Sequence, residues 1–348
     1  MSLKKDGAQR LLLGIDLGTS LTAVISNRGK KALVRSVVGY PHDIIATKIL
    51  NDVLVVGDEA LVKRSYLDIY FPLADGVLKE GSHRHSQAAK ELLEYSIAQI
   101  NPQPGDEIFG IIGVPARASV SNKNHLLKLA SSMMTMAMVV SEPFMAAYGL
   151  NRLTNAIIID IGAGTVDFCA MKGTVPTSDD QITLIKAGNY IDDMLVAAIE
   201  ESYPQVQITP LLAKKIKEQY GYVGEQSEEI VVTLRSNGKP SSYDVGPEVG
   251  RACSAILPDI FETLESLVPL FDPEHQEEAL QNIILAGGGG HIRGLSEAIV
   301  DHMQDYGDVN VVRVADPAFS GAAGALKLAT ELPLEYWHEV GDVVGEIA

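Results

Sequence analysis

The chain has 348 residues, 46% hydrophobic and 21% charged, which is enough for a packed core and for two or more domains. Its formal net charge of −17 penalises docking on a phosphate backbone and excludes nucleic acid as an expected partner. No apolar run reaches the roughly 20 residues of a bilayer span, and the opening MSLKKDGAQR has neither an apolar signal stretch nor the apolar face of an interfacial anchor. Two cysteines, Cys169 and Cys253, give no disulfide framework and no metal spacing, so a reducing cytoplasm without direct membrane insertion is expected.

In chain order, LLLGID, LGTS and LTAVIS read as a β-hairpin around a short glycine turn. Residues 31–66 are short β-like runs broken by Gly39, Pro41 and Asn51-Asp52, and residues about 33–66 read as a small inserted subdomain. Residues 86–100 have helical periodicity with Ser86 as N-cap. EIFGIIGVP is a buried strand stopped by Pro115, and a second helix is expected over 121–138 with Met133, Met134, Met136 and Met138 as core filler. His83 and His85 belong to a solvated loop rather than a metal site, and Glu225, Glu228 and Glu229 to a solvated turn.

The opening pattern then returns. AIIIDIGAGTVDFCAM (156–171) is again strand, acid, glycine turn and strand, and aligning Asp16 with Asp160 puts Gly18 on Gly162 and Ser20 on Gly164. The offset of 144 residues is about one domain, so two related halves are expected. Further on, ITPLLAKKIKEQYGYV reads as a helix with Lys214, Lys217 and Glu218 on one side, and 229–245 as a hairpin turning at Asn237-Gly238. A long amphipathic helix over 247–268 precedes the strand NIILAG, the run Gly287–Gly290 and a helix from about Gly294. ADPAFSGAAGALKLA is a loop followed by a last helix.

A turn of glycines and small hydroxyl residues exposes consecutive backbone N–H groups, which together form a nest for phosphate oxygens. Gly18-Thr19-Ser20 and Gly162-Ala163-Gly164-Thr165 are two such nests, each behind an aspartate that ends an apolar strand. A carboxylate beside phosphates is repulsive without a cation, so Asp16 and Asp160 are read as organising Mg²⁺ through its water shell. Glu142, with Pro143 behind it, stands at a helix start, either as a dipole-favoured acid or as the residue that aligns an attacking water. Asp167 either helps hold that water or is a polar hairpin residue. The glycine run is not GxGxxG, and no P-loop is present.

These segments occur in the order of the actin, heat-shock chaperone and sugar kinase superfamily. GIDLGTSLT resembles its first phosphate loop, SEPFMAAYG its first connecting segment and DIGAGTVD its second phosphate loop. LAGGGGHIRG resembles the adenosine loop, and DPAFSGAAGAL the second connecting segment. The resemblance implies an α/β actin-like ATPase fold: two RNase-H-like domains, each a mixed sheet flanked by helices, with small inserts around a cleft that holds Mg-ATP or Mg-ADP. Domain I would comprise residues 1–152 plus 317–348, and domain II residues 153–316 with an insert at about 190–250. It makes Glu142 the water-positioning residue, working with Asp16, Asp160 and Asp167. It also gives nucleotide contacts to Lys214, Lys217, Glu218, Gly287, Gly288, Gly289 and His291. Lys214 stands where actin has arginine and MreB-type proteins an acid, and Ala23 where eukaryotic actin has a phosphate-contacting lysine.

The absence of a further domain after residue 330 argues against a chaperone. Several stretches, among them RSYLDIYFPLADGVL, VVSEPFMAAYGL and ELPLEYW with GDVVG, are similar to the magnetosome-organising bacterial actins. That resemblance implies head-to-tail filaments of this chain, turned over by ATP hydrolysis and joined to magnetosomes through an adaptor protein. A small-molecule kinase and a non-hydrolysing nucleotide-bound scaffold are the alternatives.

Overall fold

The computed structural model describes residues 10–79, 82–226 and 228–337; the N-terminal residues 1–9 and the GDVVG segment lie outside them. The chain forms two compact units. The first runs to Leu153, takes in Val175–Ser178 and resumes at Asp316, while the second comprises Thr154–Thr174 and Asp179–Ala315. Among the described residues no helix is long and apolar enough to cross a membrane.

In the first unit the strands are β1 (Arg10–Leu17), β2 (Leu21–Ser26), β3 (Lys31–Arg35), β4 (Val38–Pro41), β5 (Val55–Val56), β6 (Leu67–Tyr70), β7 (Leu73–Ala74), β8 (Val77–Leu78), β9 (Glu107–Val114) and β10 (Met136–Ser141). Its helices are α1 (Ile44–Leu50), α2 (Asp58–Val62), α3 (His83–Ala98), α4 (Val120–Ala130), α5 (Glu142–Leu150) and, at the end of the chain, α12 (Ser320–Glu331). The main sheet has the order β10-β9-β1-β2-β3, with β1 parallel to β9 and antiparallel to β2. Leu11, Leu13 and Ile15 of β1 are fully buried, as expected of a central strand covered on both faces. A separate sheet, β5-β4-β6, carries α1 and α2 as the small insert. The insert is more helical than its sequence suggested: Asp43 caps α1 through its side chain and Asn51 ends it in the left-handed region, while Lys31–Arg35 belongs to the main sheet.

In the second unit the strands are β11 (Thr154–Ile161), β12 (Val166–Lys172), β13 (Gln181–Leu184), β14 (Val206–Gln207), β15 (Val231–Ser236), β16 (Lys239–Asp244), β17 (Ile283–Ala286) and β18 (Val311–Arg313). Its helices are α6 (Gly188–Ser202), α7 (Pro210–Tyr220), α8 (Gly246–Ser254), α9 (Leu257–Leu267), α10 (Gln276–Leu280) and α11 (Leu295–Met303). The main sheet, β13-β12-β11-β17-β18, repeats the first sheet strand for strand. The β11–β12 and β12–β13 pairs are antiparallel, and the β11–β17 and β17–β18 pairs parallel. The repeat inferred from Asp16 and Asp160 is thus a repeat of sheet topology. The β15–β16 hairpin turns at Asn237 and Gly238, both with positive φ.

Four local expectations are corrected. The helix expected to 138 ends at Ala130, because Ser131 and Ser132 fold their hydroxyls onto the Lys128 and Leu129 carbonyls. Met136 and Met138 lie instead in β10, in register with Phe109 and Ile111. Helix α3 starts three residues earlier than Ser86, with Ser82 at its N-cap, which places His83 and His85 in its first turn rather than in a loop. The long helix over 247–268 is two helices: Pro258, in the first turn of α9, has no N–H to continue the ladder from α8.

Helix α12 lies directly on β1 and α5. A Cβ on Gly14 would sit 2.0 Å from the Ala322 carbonyl oxygen, and one on Gly324 would sit 1.8 Å from that of Met145. Both contacts are backbone against backbone, so a side chain can be admitted only by parting the elements. Gly324→Ala should lower the unfolding midpoint by about 1–3 kcal/mol equivalent, the usual cost of overpacking. Thermal and urea denaturation check this, and an unchanged midpoint would show that α5 and α12 separate freely.

Candidate functional site

In the first unit the C-terminal end of β1 carries Asp16, in register with Gly113 of β9 and Ala23 of β2. The turn that follows is closed by Gly18 N donating to Leu21 O at 3.1 Å. Ser36 braces it from behind: its hydroxyl donates to Gly18 O at 2.7 Å and its N–H to Ser20 O at 3.0 Å. C=O and N–H lie trans across a peptide plane, so a Gly18 carbonyl held by Ser36 turns the Thr19 N–H the other way, away from the sheet interior. The Thr19 hydroxyl accepts from Gly76 N at 2.8 Å, tying the turn to the β7–β8 hairpin.

Two helices begin beside Asp16. Helix α5 starts at Glu142, whose Cγ lies 3.3 Å from where a Cβ on Gly113 would stand; Gly113 is the register partner of Asp16. Helix α12 starts at Ser320, and a Cβ on Gly321 would stand 2.5 Å from Asp16 Oδ2. Asp16, Glu142 and two helix N-termini therefore share one edge of the sheet, where the helix dipoles favour anions. Burial pushes the Asp16 carboxyl up to about 6, so its ionised form is costly unless a cation offsets the charge.

The second unit repeats this edge with different chemistry. Asp160 ends β11, in register with Ala286 of β17 and Asp167 of β12. Asp167 is buried and accepts from the Thr183 hydroxyl at 2.6 Å. Carboxyl groups at facing positions repel one another, which again favours a cation nearby. The turn is closed by Gly162 N donating to Thr165 O at 2.9 Å. Its outer side is braced by α6: Gly188 N donates to Gly162 O at 3.1 Å and Asn189 N to Ala163 O at 2.7 Å. Held so, the two carbonyls turn the Ala163 and Gly164 N–H groups to the opposite face.

Gly287 and Gly289 are brought against this same edge. A Cβ on Gly287, at φ +69°, would stand 2.4 Å from Asp160 Oδ1, and one on Gly289 would stand 2.2 Å from Ile161 Cγ2; Gly288 faces open space. His291 Nε2 lies 3.0 Å from Val314 O, which anchors the glycine segment to the end of β18. Lys214 and Glu218 face each other at 3.9 Å on α7, with the Glu218 side chain largely exposed. Lys217 points into the protein, 2.7 Å from Asp192 Oδ1, and donates to Gly188 O at 2.6 Å. Desolvation raises the Asp192 carboxyl above its ordinary range, and Lys217 pulls it back.

The residues present fit Mg²⁺. Each aspartate has a glycine where any Cβ would crowd its carboxylate, which leaves room for a hydrated ion. Among the described residues no three His, Cys, Asp or Glu side chains converge into a cage. That suits an ion held by one or two carboxylates, water and phosphate oxygens rather than by the protein alone. Sequence reasoning missed Ser36, Gly188, Asp192 and Gly321. Of these only Gly321 carried a local signal, the small-residue run SGAAGA at a helix start.

Gly321→Ala separates site from stability. The three atoms nearest its Cβ all belong to the Asp16 side chain, from Oδ2 at 2.5 Å to Cβ at 3.5 Å, and in a helix alanine is favoured over glycine. The unfolding midpoint should hold or rise, while Mg²⁺-dependent nucleotide affinity falls about tenfold, as when the outer support of a metal site is disturbed. Nucleotide titrations with and without Mg²⁺ read this directly, and wild-type affinity would remove Asp16 from the metal site.

Known proteins resemble the chain over nearly its whole length. The family model for MreB/Mbl protein matches residues 10–334. The chain is 53% identical to the actin-like protein MamK of Paramagnetospirillum magneticum, covering 97% of each chain. It is 52% identical to that of Magnetospirillum gryphiswaldense, covering 97% of this chain and 94% of the relative. Among solved structures, a MamK double helical filament superposes with a TM-score of 0.92 at 53% identity, covering 93% of this chain and 100% of that one. A non-polymerising MamK mutant bound to AMPPNP superposes at 0.73 with 52% identity and the same coverage. The chain belongs to the MreB/Mbl family of actin-like proteins.

Proposed function

We propose that this protein binds Mg-ATP at its two phosphate turns, assembles head to tail into filaments and hydrolyses the nucleotide to turn those filaments over. The observation that carries the reading is the duplicated edge: Asp16 and Asp160 end equivalent strands of two sheets with one topology, each in front of a braced turn of backbone donors. The MamK relatives add support, since their structures are described as a double helical filament and, in a mutant, as an AMPPNP complex. From the sequence resemblance to magnetosome-organising actins we further propose that the filaments align magnetosomes in the cytoplasm through an adaptor protein.

The chain's own groups divide the work. The N–H groups of residues 19–20 and 163–165 receive phosphate oxygens. Asp16 and Asp160 hold the water shell of Mg²⁺, which when bound supplies charge neutralisation on the phosphates. Glu142, fixed at the start of α5 by Pro143 and by the packing of α5 on α12, orients water in line with the γ-phosphate and accepts its proton. Gly287–Gly289 and His291, with Lys214 and Glu218 of α7, form the nucleoside side. Head-to-tail contacts are heterologous and propagate openly, so one repeated interface suffices for a filament.

Electron microscopy with Mg-ATP beside a phosphate-release assay tests the whole reading. Glu142→Ala should still assemble while phosphate release falls about 100-fold, a usual share for general acid–base work. Its filaments should outlast those of the wild type, and wild-type turnover in this variant would take Glu142 out of the mechanism. Filaments without any phosphate release would return the protein to a nucleotide-bound scaffold. At −17 per subunit, long-range repulsion opposes assembly, so pelleting should rise with salt up to a few hundred millimolar as the Debye length shrinks. Flat or falling assembly over that range would show that this repulsion does not limit polymerisation.

A further inference from the structure

Helix α6 has no side-chain cap: Ala187 stands at its N-cap, and its first amides are satisfied by the Gly162 and Ala163 carbonyls of the second turn. What holds α6 against that turn comes from another helix. Lys217, near the end of α7, donates to the Gly188 carbonyl at 2.6 Å and pairs with Asp192, one turn into α6, at 2.7 Å. The Asp192 side chain is 6% exposed and that of Lys217 11%, so little solvent reaches the pair. A Cβ on Gly188 would fall 3.0 Å from Gly162 O and 3.2 Å from Lys217 Nζ, so turn, helix start and ammonium meet closely and a side chain there would have to push them apart by a few tenths of an ångström.

We propose that Asp192 and Lys217 are positioning residues for the second phosphate turn. They clamp the start of α6 so that its amides fix the Gly162 and Ala163 peptide planes, which aims the Ala163 and Gly164 N–H groups at the nucleotide's phosphates. The inference rests on reading that turn as phosphate-binding. It assigns Lys217 to the phosphate side, acting through backbone, instead of to direct contact with the nucleoside. Asp192 is the telling residue, because it sits on α6 with its carboxylate paired to Lys217, so it acts on the turn through α6 and that pair.

The test uses the full chain with Lys217→Met, Asp192→Asn, Lys217→Arg and the double variant D192N/K217M. Lys217→Met and Asp192→Asn each leave one buried charge unpaired and will cost stability, whereas the double variant removes both charges of the pair and serves as the folded reference. Thermal midpoints establish which variants are folded. Mg-ATP and adenosine are then titrated separately, and phosphate release is measured at saturating ATP. The expected result is an affinity loss of about tenfold or more for Mg-ATP in the double variant, with adenosine binding retained and turnover at saturation reduced. Lys217→Arg, which keeps charge and donor, should recover part of the loss. Hydrogen exchange without nucleotide should be faster at Gly188 and Asn189 in the double variant.

Equal losses for ATP and adenosine in K217M, with D192N at wild-type affinity, would place Lys217 on the nucleoside and overturn the proposal. Wild-type Mg-ATP binding and turnover in the double variant would overturn it as well. A wild-type protein that binds no ATP fails the underlying reading itself, a result visible before any variant is made.

Discussion

A peptide plane held by its carbonyl cannot choose where its N–H points, and both candidate phosphate turns depend on that constraint. In the first unit the Ser36 hydroxyl holds the Gly18 carbonyl; in the second, the opening amides of α6 hold those of Gly162 and Ala163. The second arrangement satisfies two needs at once. A helix start with no capping side chain needs acceptors for its first N–H groups, and a nest needs its carbonyls turned away from the anion. Each element satisfies the other's backbone groups, so the turn and the start of α6 are held together.

The remaining architecture serves to keep those edges crowded yet open. Glycines at 14, 149 and 324 let α12 close on β1 and α5 at backbone contact, which carries Glu142 and Gly321 to the Asp16 end of the sheet as one block. Lys327 ties the far ends of the same helices together through the Tyr148 carbonyl and the Asn151 side chain. At the chemical end, Gly321 and Gly287 do the opposite job: they withhold a Cβ where it would press on Asp16 or Asp160. Tight glycine packing behind the site and missing side chains in front of it are two uses of one residue. Only the surroundings tell them apart.

This explains what the sequence made legible. The repeat could be read because acid, glycine and strand recur at one offset, and sheet topology preserves that offset through the Gly18–Leu21 and Gly162–Thr165 closures. The helix start at Glu142 could be read because its signal, an apolar strand followed by an acid and a proline, is local, while the role given to that acid came from the family resemblance alone. Ser36, Asp192 and Gly188 could not. Ser36 acts on a carbonyl 18 residues away and Lys217 on one 29 residues away, and nothing in their own neighbourhoods marks them. The overlong helix through Met138 failed for a related reason. Methionine is compatible with either state, and the decision lay with the hydroxyls of Ser131 and Ser132 and with the edge of β9 waiting for Met136.

The two edges are alike in geometry and unlike in charge, and that difference sets their roles. Ala23 and Asp167 occupy equivalent places, each facing the strand-end aspartate across its hairpin. The first unit thus offers one carboxylate at the hairpin and a second, Glu142, from a helix on the other side of the strand pair. The second unit concentrates two carboxylates on the hairpin itself and supports one of them with the Thr183 hydroxyl. Two acids at facing positions repel one another, and a cation close by would relieve that, which is why the proposed function puts Mg²⁺ beside Asp160 as well as beside Asp16. At the Asp16 edge Ala23 carries no charge, so Glu142 is the second acid there, the one to which the proposed function gives the water. The two turns share one geometry, and what distinguishes them is the residue opposite each strand-end aspartate, Ala23 in one unit and Asp167 in the other.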